Sequence, residues 1–278
     1  MNIQVIAFDL DGTVLDDEKR LPEENRLALE AAAARGVLIV PATGRIVRAV
    51  PDCLRALPCI RYYIVSNGAT VYDAAEDRIL YRGEIPAELS VQVCEYMDTL
   101  PVIYDCYQND MGWMSRSHYE RAAPYFVNEP HMMDLVTRLR VRVDDLKETL
   151  RQRGEPVQKL QMYFRPEDLP RRQGIMEELP RRFPGLVPTT SVSNNIEINS
   201  DQAGKGKALR ALCAALGLDP AATLAFGDGS NDTELLRMAG CGVAMGNALE
   251  EVKAAADRVT VSNNDGGVAR EIRALLGL

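Results

Sequence analysis

The chain has 278 residues, enough for two domains at about 150 residues each. Hydrophobic residues make up 46% and charged residues 26%, which excludes a disordered or fibrous chain. Lys plus Arg number 32 against 40 Asp plus Glu, a net charge of -8. That balance repels a polyphosphate backbone and argues against a nucleic-acid partner, but it leaves room for a small anion at a local positive site. No apolar run approaches the ~18–20 residues of a membrane span, and the start, MNIQVIAFDLDGT, lacks the pattern of a signal peptide. A cytoplasmic protein with no membrane partner is expected, as a monomer or small homo-oligomer. Its six cysteines, Cys53, Cys59, Cys94, Cys106, Cys213 and Cys241, show no CxxC spacing and read as free thiols. With His118 and His131 the only histidines, chemistry must rest on carboxylates, hydroxyls and lysines.

Taken in order, the first third alternates. Ile3–Phe8 reads as a buried strand, Leu21–Arg35 as a helix between Pro22 and Gly36, and Val37–Pro41 as a strand. Arg45–Leu57 reads as a helix and Arg61–Val65 as a strand. This βαβ spacing predicts a parallel sheet covered on both faces. The pattern then changes. Val71–Tyr81 reads as a hairpin, Ala87–Asp98 as a helix, and Val102–Tyr107 with Gly112–Ser115 as strands joined by the polar turn Gln108–Met111. Val157–Phe164 and Leu186–Ser191 are further strands, around a helical stretch Pro166–Phe183 whose arginine pairs read as a solvated face. Alternation returns with a helix Gly206–Leu216 closed by Gly217, a strand Thr223–Gly227 and a helix Asp232–Ala239. A strand Cys241–Met245, a helix Ala248–Ala256 and a strand Val259–Val261 follow. The expected fold is α/β, a Rossmann-like parallel-sheet core (residues 1–82 and 194–278) split by an inserted α+β domain (residues 83–193).

In an open α/β sheet, ligands bind beyond the carboxyl ends of the strands. The first strand ends in Asp9-Leu10-Asp11-Gly12-Thr13, the second in Ala42-Thr43-Gly44-Arg45, and the returning strand in Gly227-Asp228-Gly229-Ser230-Asn231-Asp232. Gly204-Lys205-Gly206-Lys207 lies just before the first returning helix. Several carboxylates at one edge cannot all stay ionised without a cation, and with no His or Cys at hand Mg²⁺ is the natural ion for Asp9, Asp228 and Asp232. Thr43, the amide of Gly44 and Lys205 suit an anion. A hard cation beside an anion is a site for a phosphate ester. Asp9 and Asp11 divide the labour, one carboxylate attacking phosphorus and the other exchanging a proton with the leaving group and water.

These segments resemble, in order, the four motifs of the haloacid dehalogenase superfamily of phosphohydrolases. The large insertion, with Ser66-Asn67-Gly68-Ala69 and Met245-Gly246-Asn247-Ala248, is similar to its Cof-type subgroup with an α/β cap. The resemblance covers the split core well and the cap only by position and size. It implies Asp9 as nucleophile, Asp11 as acid and base, Thr43 and Lys205 on the phosphoryl group, and Asn231 orienting Lys205 or touching phosphate. It implies Mg²⁺ held by Asp9, the backbone carbonyl of Asp11 and Asp228, with Asp232 behind. The presence of Asp11 argues against carbon–halogen cleavage. The expected activity is hydrolysis of a small phosphorylated metabolite, a sugar phosphate before a phosphorylated cofactor, with the cap closing over the leaving group. A phosphomutase or phosphotransferase, or a non-catalytic sensor of a phosphorylated ligand, are the alternatives.

Blander readings stand beside these. Lys207 reads as a solvated lysine and Arg45 as the partner of a core carboxylate. Asn67-Gly68 reads as a turn or a neighbour of the site, and Asn194, Asn195 and Glu197 as loop or strand where the insertion ends. Trp113, His118 and His131 read as packing or surface residues, and Asn263–Gly267 as a turn first, with support behind the site as the alternative.

Overall fold

The computed structural model describes residues 2–128 and 130–278, with only the backbone of Pro130 and His131, so the reading of His131 lies outside the described side chains. Two units emerge, one from residues 1–82 with 203–278 and one from residues 83–202.

The first unit contains the parallel strands β1 (Val5–Phe8) and β2 (Leu38–Pro41) and the antiparallel set β3 (Tyr62–Val65), β4 (Thr70–Asp73) and β5 (Arg78–Arg82). The second contains β6 (Val102–Gln108), β7 (Met111–Ser115), β8 (Arg140–Val143), β9 (Lys159–Phe164), β10 (Leu186–Thr189) and β11 (Asn195–Ser200). The chain then returns to the first unit with β12 (Thr223–Gly227), β13 (Cys241–Ala244) and β14 (Arg258–Val259).

The core sheet runs β14-β13-β12-β1-β2, all parallel. β1 and β12 are each buried at every residue, as their unbroken apolar runs require with helices on both faces. This order joins segments remote in the chain. The amino-terminal strand lies between β2 and the late-returning β12, with Phe8 in register with both Pro41 and Phe226. Asp9, Thr43 and Asp228 therefore leave the carboxyl ends of three adjacent strands.

The second unit is a six-stranded mixed sheet, β10-β11-β9-β6-β7-β8. Its β6–β7 hairpin turns on Asn109 and Asp110, both at positive φ (51° and 56°), as a two-residue type I′ turn requires. Side chains alternate across the sheet. Val102, Tyr104, Cys106, Leu160, Met162, Ile196 and Ile198 pack under the helices Ala87–Met97, Leu146–Arg153 and Arg172–Arg182. The opposite face carries Asp105, Tyr107, Lys159, Gln161 and Glu197, all buried.

Four expectations need correction. The insertion ends at Gln202, not 193, because β11 pairs antiparallel with β9 and β10 and so belongs to the inserted sheet. Arg45–Leu57 is not one helix. Pro51 forces Val50 out of helical geometry (ψ 130°), leaving a 3₁₀ turn Val47–Ala49 and one helical turn Asp52–Arg55. The helix expected over Ala248–Ala256 is a single turn, Glu250–Lys253. Residues 116–153, given no elements from the sequence, hold the helices Arg116–Glu120, Pro130–Leu139 and Leu146–Arg153 and the strand β8. No helix among the described residues is long and apolar enough to cross a membrane.

Candidate active site

The first motif folds back on itself after β1. The amide of Asp9 donates to Phe226 O (3.1 Å), Val14 N donates to Asp9 O and Leu15 N to Leu10 O, so the DLDGT loop closes tightly. Gly12 has φ +81°, and a Cβ there would overlap the Asp228 carboxylate, so only glycine lets this loop meet the GDGSND loop. Thr13 Oγ1 donates to Asp228 Oδ1 at 2.6 Å, directly linking two segments 215 positions apart. Two asparagines hold the loop from behind. Asn247 Nδ2 donates to Gly12 O (2.8 Å) and Asn263 Nδ2 to Leu15 O (3.0 Å).

Lys205 stands at the start of the helix Lys205–Leu216, with its side chain fully buried. Its ammonium donates to Asp9 Oδ1 and Asp232 Oδ1, each at 2.6 Å. Asp232 in turn accepts through Oδ2 from the amides of Asp228 (3.1 Å) and Gly229 (3.0 Å). Both its oxygens are engaged, so it serves behind the site, tying Lys205 to the loop that carries Asp228. Of the two places the resemblance implied for Asn231, orienting Lys205 or touching phosphate, the first is taken by another residue. Asp232 orients Lys205, and Asn231 Nδ2 donates to Asn67 Oδ1 at 3.3 Å. Lys207 is exposed, whereas Lys205 is the lysine in contact with the carboxylates.

Thr43 is buried, its amide donating to Ile64 O (2.9 Å) and its Oγ1 accepting from the amide of Arg45 (3.2 Å), which leaves its hydroxyl proton to donate. Gly44 follows it in the same loop, at the end of β2. Arg45 pairs with a core carboxylate in the double-pronged geometry of guanidinium on carboxylate: Nε to Asp11 Oδ2 at 2.9 Å and Nη2 to Asp11 Oδ1 at 2.8 Å. Lys19 Nζ adds a contact at 2.9 Å to the same carboxylate.

One oxygen each of Asp9, Asp228 and Asp232 lie within 4.8 Å of one another. Three carboxylates thus face one ammonium, and the electrostatics register the excess. Burial, opposed by the charge of Lys205 and aided by Asp232 and Asp228, raises Asp9 from the usual carboxylate value to about 8. Burial, opposed by the Thr13 hydroxyl and aided by Asp232, raises Asp228 to about 6. Lys205 moves further above its ordinary value, because Asp232 and Asp9 outweigh the desolvation that would lower it. Asp11 behaves differently. Burial would raise it, but the hydrogen bonds and charges of Arg45 and Lys19 prevail and hold it below the usual range. A hard divalent cation fits such a group of oxygens. It would neutralise the excess charge and keep Asp9 and Asp228 ionised at neutral pH.

Several residues with bland readings have structural partners. Glu197 pairs with Lys159 inside the second unit (2.7 Å), and Asn195 caps the turn at Ser191 and Val192. His118 is buried edge-on to Tyr104 with its ring held neutral by desolvation, and Trp113 lies under Arg153. Asn263 takes the supporting place behind the site that the sequence offered beside a turn, whereas the hold of Asn247 on Gly12 has no such signal, since an Asn beside Gly marks a turn first.

Residues 6–272 match the family model described as haloacid dehalogenase-like hydrolase. The chain is 30% identical over 277 residues to the 5-amino-6-(5-phospho-D-ribitylamino)uracil phosphatase YcsE of Bacillus subtilis, covering 98% of this chain and 96% of that one. It is 28% identical to the phosphatase YwpJ of the same organism, over 99% of this chain and 100% of that one. Among solved structures, it superposes on the subclass IIB sugar phosphatase BT4131 with a TM-score of 0.82 and 25% identity, over 99% of this chain and 100% of that one. With its split α/β core, its motif loops gathered at one sheet edge and these matches along nearly its whole length, the chain belongs to the haloacid dehalogenase-like hydrolases, in their Cof-type branch.

Proposed function

We propose that this phosphoric monoester hydrolase cleaves small phosphate monoesters, sugar phosphates first among them, through a phosphorylated Asp9 and with Mg²⁺. The single observation that carries the reading is the clustering of Asp9, Asp228 and Asp232 within 4.8 Å at the carboxyl ends of β1 and β12, with Lys205 bonded to Asp9 and Asp232. Asp9, the backbone carbonyl of Asp11 and Asp228 would hold the cation, with Asp232 supporting from behind. When bound, Mg²⁺ supplies charge neutralisation for the phosphoryl oxygens and lets the Asp9 carboxylate remain ionised.

In this reading the Thr43 hydroxyl, the Gly44 amide, Lys205 and Asn231 bind the phosphoryl oxygens and spread their charge during in-line transfer. An Asp9 carboxylate oxygen attacks phosphorus as the ester P–O bond breaks. Asp11 protonates the departing alkoxide. It then takes a proton from the water that attacks the phosphoryl–aspartate, which returns Asp9 and releases phosphate. Arg45 and Lys19 keep Asp11 ionised before substrate arrives; the anionic substrate beside it raises its proton affinity, so Asp11 takes up from solvent the proton that it then gives to the alkoxide. Relatives named for a phosphorylated ribitylamino compound and for sugar phosphates support a polyhydroxylated leaving group.

Purified protein with Mg²⁺ assayed against several dozen metabolite phosphates tests the reading. Free phosphate released with water as the only acceptor supports hydrolysis. Phosphate appearing only on a second hydroxyl compound would make it a phosphotransferase, and tight binding of a phosphate ester without turnover would make it a sensor.

A further inference from the structure

The corner between β3 and β4 has a conformation that its local job does not require. A four-residue connection from Val65 to Thr70 needs about one left-handed residue. This one has three in succession, Ser66 (φ 52°), Asn67 (φ 59°) and Gly68 (φ 86°), two of them not glycine and all of them buried. Such backbone persists only where the surroundings over-determine it. Here the surroundings are the motif loops themselves. The amide of Ser66 donates to Arg45 O (2.9 Å) and that of Asn67 to Thr43 O (3.0 Å), which fixes the second motif. Gly68 lies against the segment leading into Lys205, where a Cβ would overlap Gly204 O and come within 2.8 Å of Lys205 N. Asn67 Oδ1 accepts from Asn231 Nδ2 in the fourth motif. One corner thus touches three of the four segments that build the site.

We infer that the Ser66–Asn67–Gly68 corner sets the spacing of these three loops and that Asn67 is a positioning residue, acting through Asn231 on the phosphoryl group. The inference rests on the phosphoryl-transfer reading above. Asn67 accepts the amide of Asn231, holds its side chain in one rotamer and so aims it at the transferring oxygens. An ordinary turn asparagine would do none of this. Replacement of such a residue by glycine would ease the left-handed backbone without touching the chemistry.

The two roles separate under Asn67→Gly. The full chain is assayed with Mg²⁺ and p-nitrophenyl phosphate, and thermal melting is read beside the kinetics. The expected result is a native fold with a Tm within a few degrees of wild type, together with a kcat lower by about tenfold, the loss of one hydrogen bond felt at the transition state, and a KM changed by less than about twofold. Asn67→Asp, which keeps the acceptor oxygen, recovers part of that loss. In an Asn231→Ala background, Asn67→Gly lowers kcat no further. Wild-type kcat in Asn67→Gly, or effects of Asn67→Gly and Asn231→Ala that simply multiply, would overturn the inference while Asp9→Asn stays inactive and the parent reading stands. Full turnover in Asp9→Asn, or none in the unaltered chain, would overturn both.

Discussion

Both units of the molecule bury charge, and they do it to opposite ends. In the inserted unit the charges close in pairs on one sheet face. Asp105 accepts from Arg140 Nε (2.7 Å), Gln161 Nε2 (2.9 Å) and Tyr163 OH (3.3 Å), Arg140 Nη2 reaches Tyr107 OH (3.0 Å), and Lys159 meets Glu197 (2.7 Å). One cation answers each anion. In the core, Lys205 bonds Asp9 and Asp232 while Asp228 lies beside them, so three carboxylates cluster about one ammonium, and Asp9 and Asp228 are pushed toward protonation. A balanced buried pair is a finished structural feature. An unbalanced one is a site prepared for a further positive charge, and it costs stability until that charge arrives.

The contrast can be broken most severely at Asp9. Asp9→Asn should reduce turnover to background while circular dichroism stays that of the native fold, and EDTA should do the same reversibly, with activity restored by Mg²⁺. Near-normal rates in Asp9→Asn would remove it from the nucleophile role. Asp11→Asn comes next, with kcat lower by about 10²- to 10⁴-fold, the range for loss of a general acid–base group. Rapid-quench measurement should show both formation and hydrolysis of the phosphoryl–enzyme slowed.

The paired side of the comparison is tested at Asp105. Asp105→Ala strands the Arg140 charge inside the second unit, and a loss of about 3–5 kcal/mol is expected in urea unfolding. A midpoint within error of wild type would show that this pair does not hold the sheet together.

The smallest effect sharpens the unbalanced side. Asp9 and Asp228 have folded values above the ordinary 3.8, at about 8 and about 6. The stability they contribute without a cation is full below about 3.8 and is lost as pH rises through about 6 and about 8. His118, held below its usual value, acts in the opposite sense near pH 6.5. The clean readout is therefore the Tm difference with and without Mg²⁺, because binding requires both carboxylates ionised. It should widen by several degrees from pH 5 to pH 8, on the scale of ~4 °C or less per kcal/mol for a chain of this size. A difference that does not grow with pH would disconnect the cation from these two groups.

Much of the core was legible in the chain because its signals are local and unusually pure. Fully buried parallel strands read as short unbroken apolar runs, and β12 begins and ends where that run does, at Thr223 and Gly227. The inserted unit was harder. Its strands alternate polar and apolar residues, but the polar face is buried. Residues such as Lys159 and Glu197 therefore look like surface in the sequence and lie inside the fold. The misplaced boundary at residue 193 has the same origin. β11 (Asn195–Ser200) carries Asn, Glu and Asn at alternate positions, and only its pairing with β9 shows which sheet claims it. The break in the helix after Arg45 has a local cause in the sequence, Pro51, which disfavours helical geometry at Val50.

From the sequence alone came the chemistry: hard oxygen donors, one critical lysine and a hydroxyl, at strand ends that α/β topology must gather. Residue type and strand polarity determine this, and both are properties of the chain. What only tertiary structure decided is which group answers which. Asp232 takes Lys205, while Asn231 turns to Asn67. Arg45 and Lys19 hold Asp11 ionised, and Asn247 and Asn263 buttress a loop more than 230 positions away. Partner choice among buried polar groups depends on distances of a few tenths of an ångström between segments remote in sequence. Such distances exist only once the sheet has set its order and register.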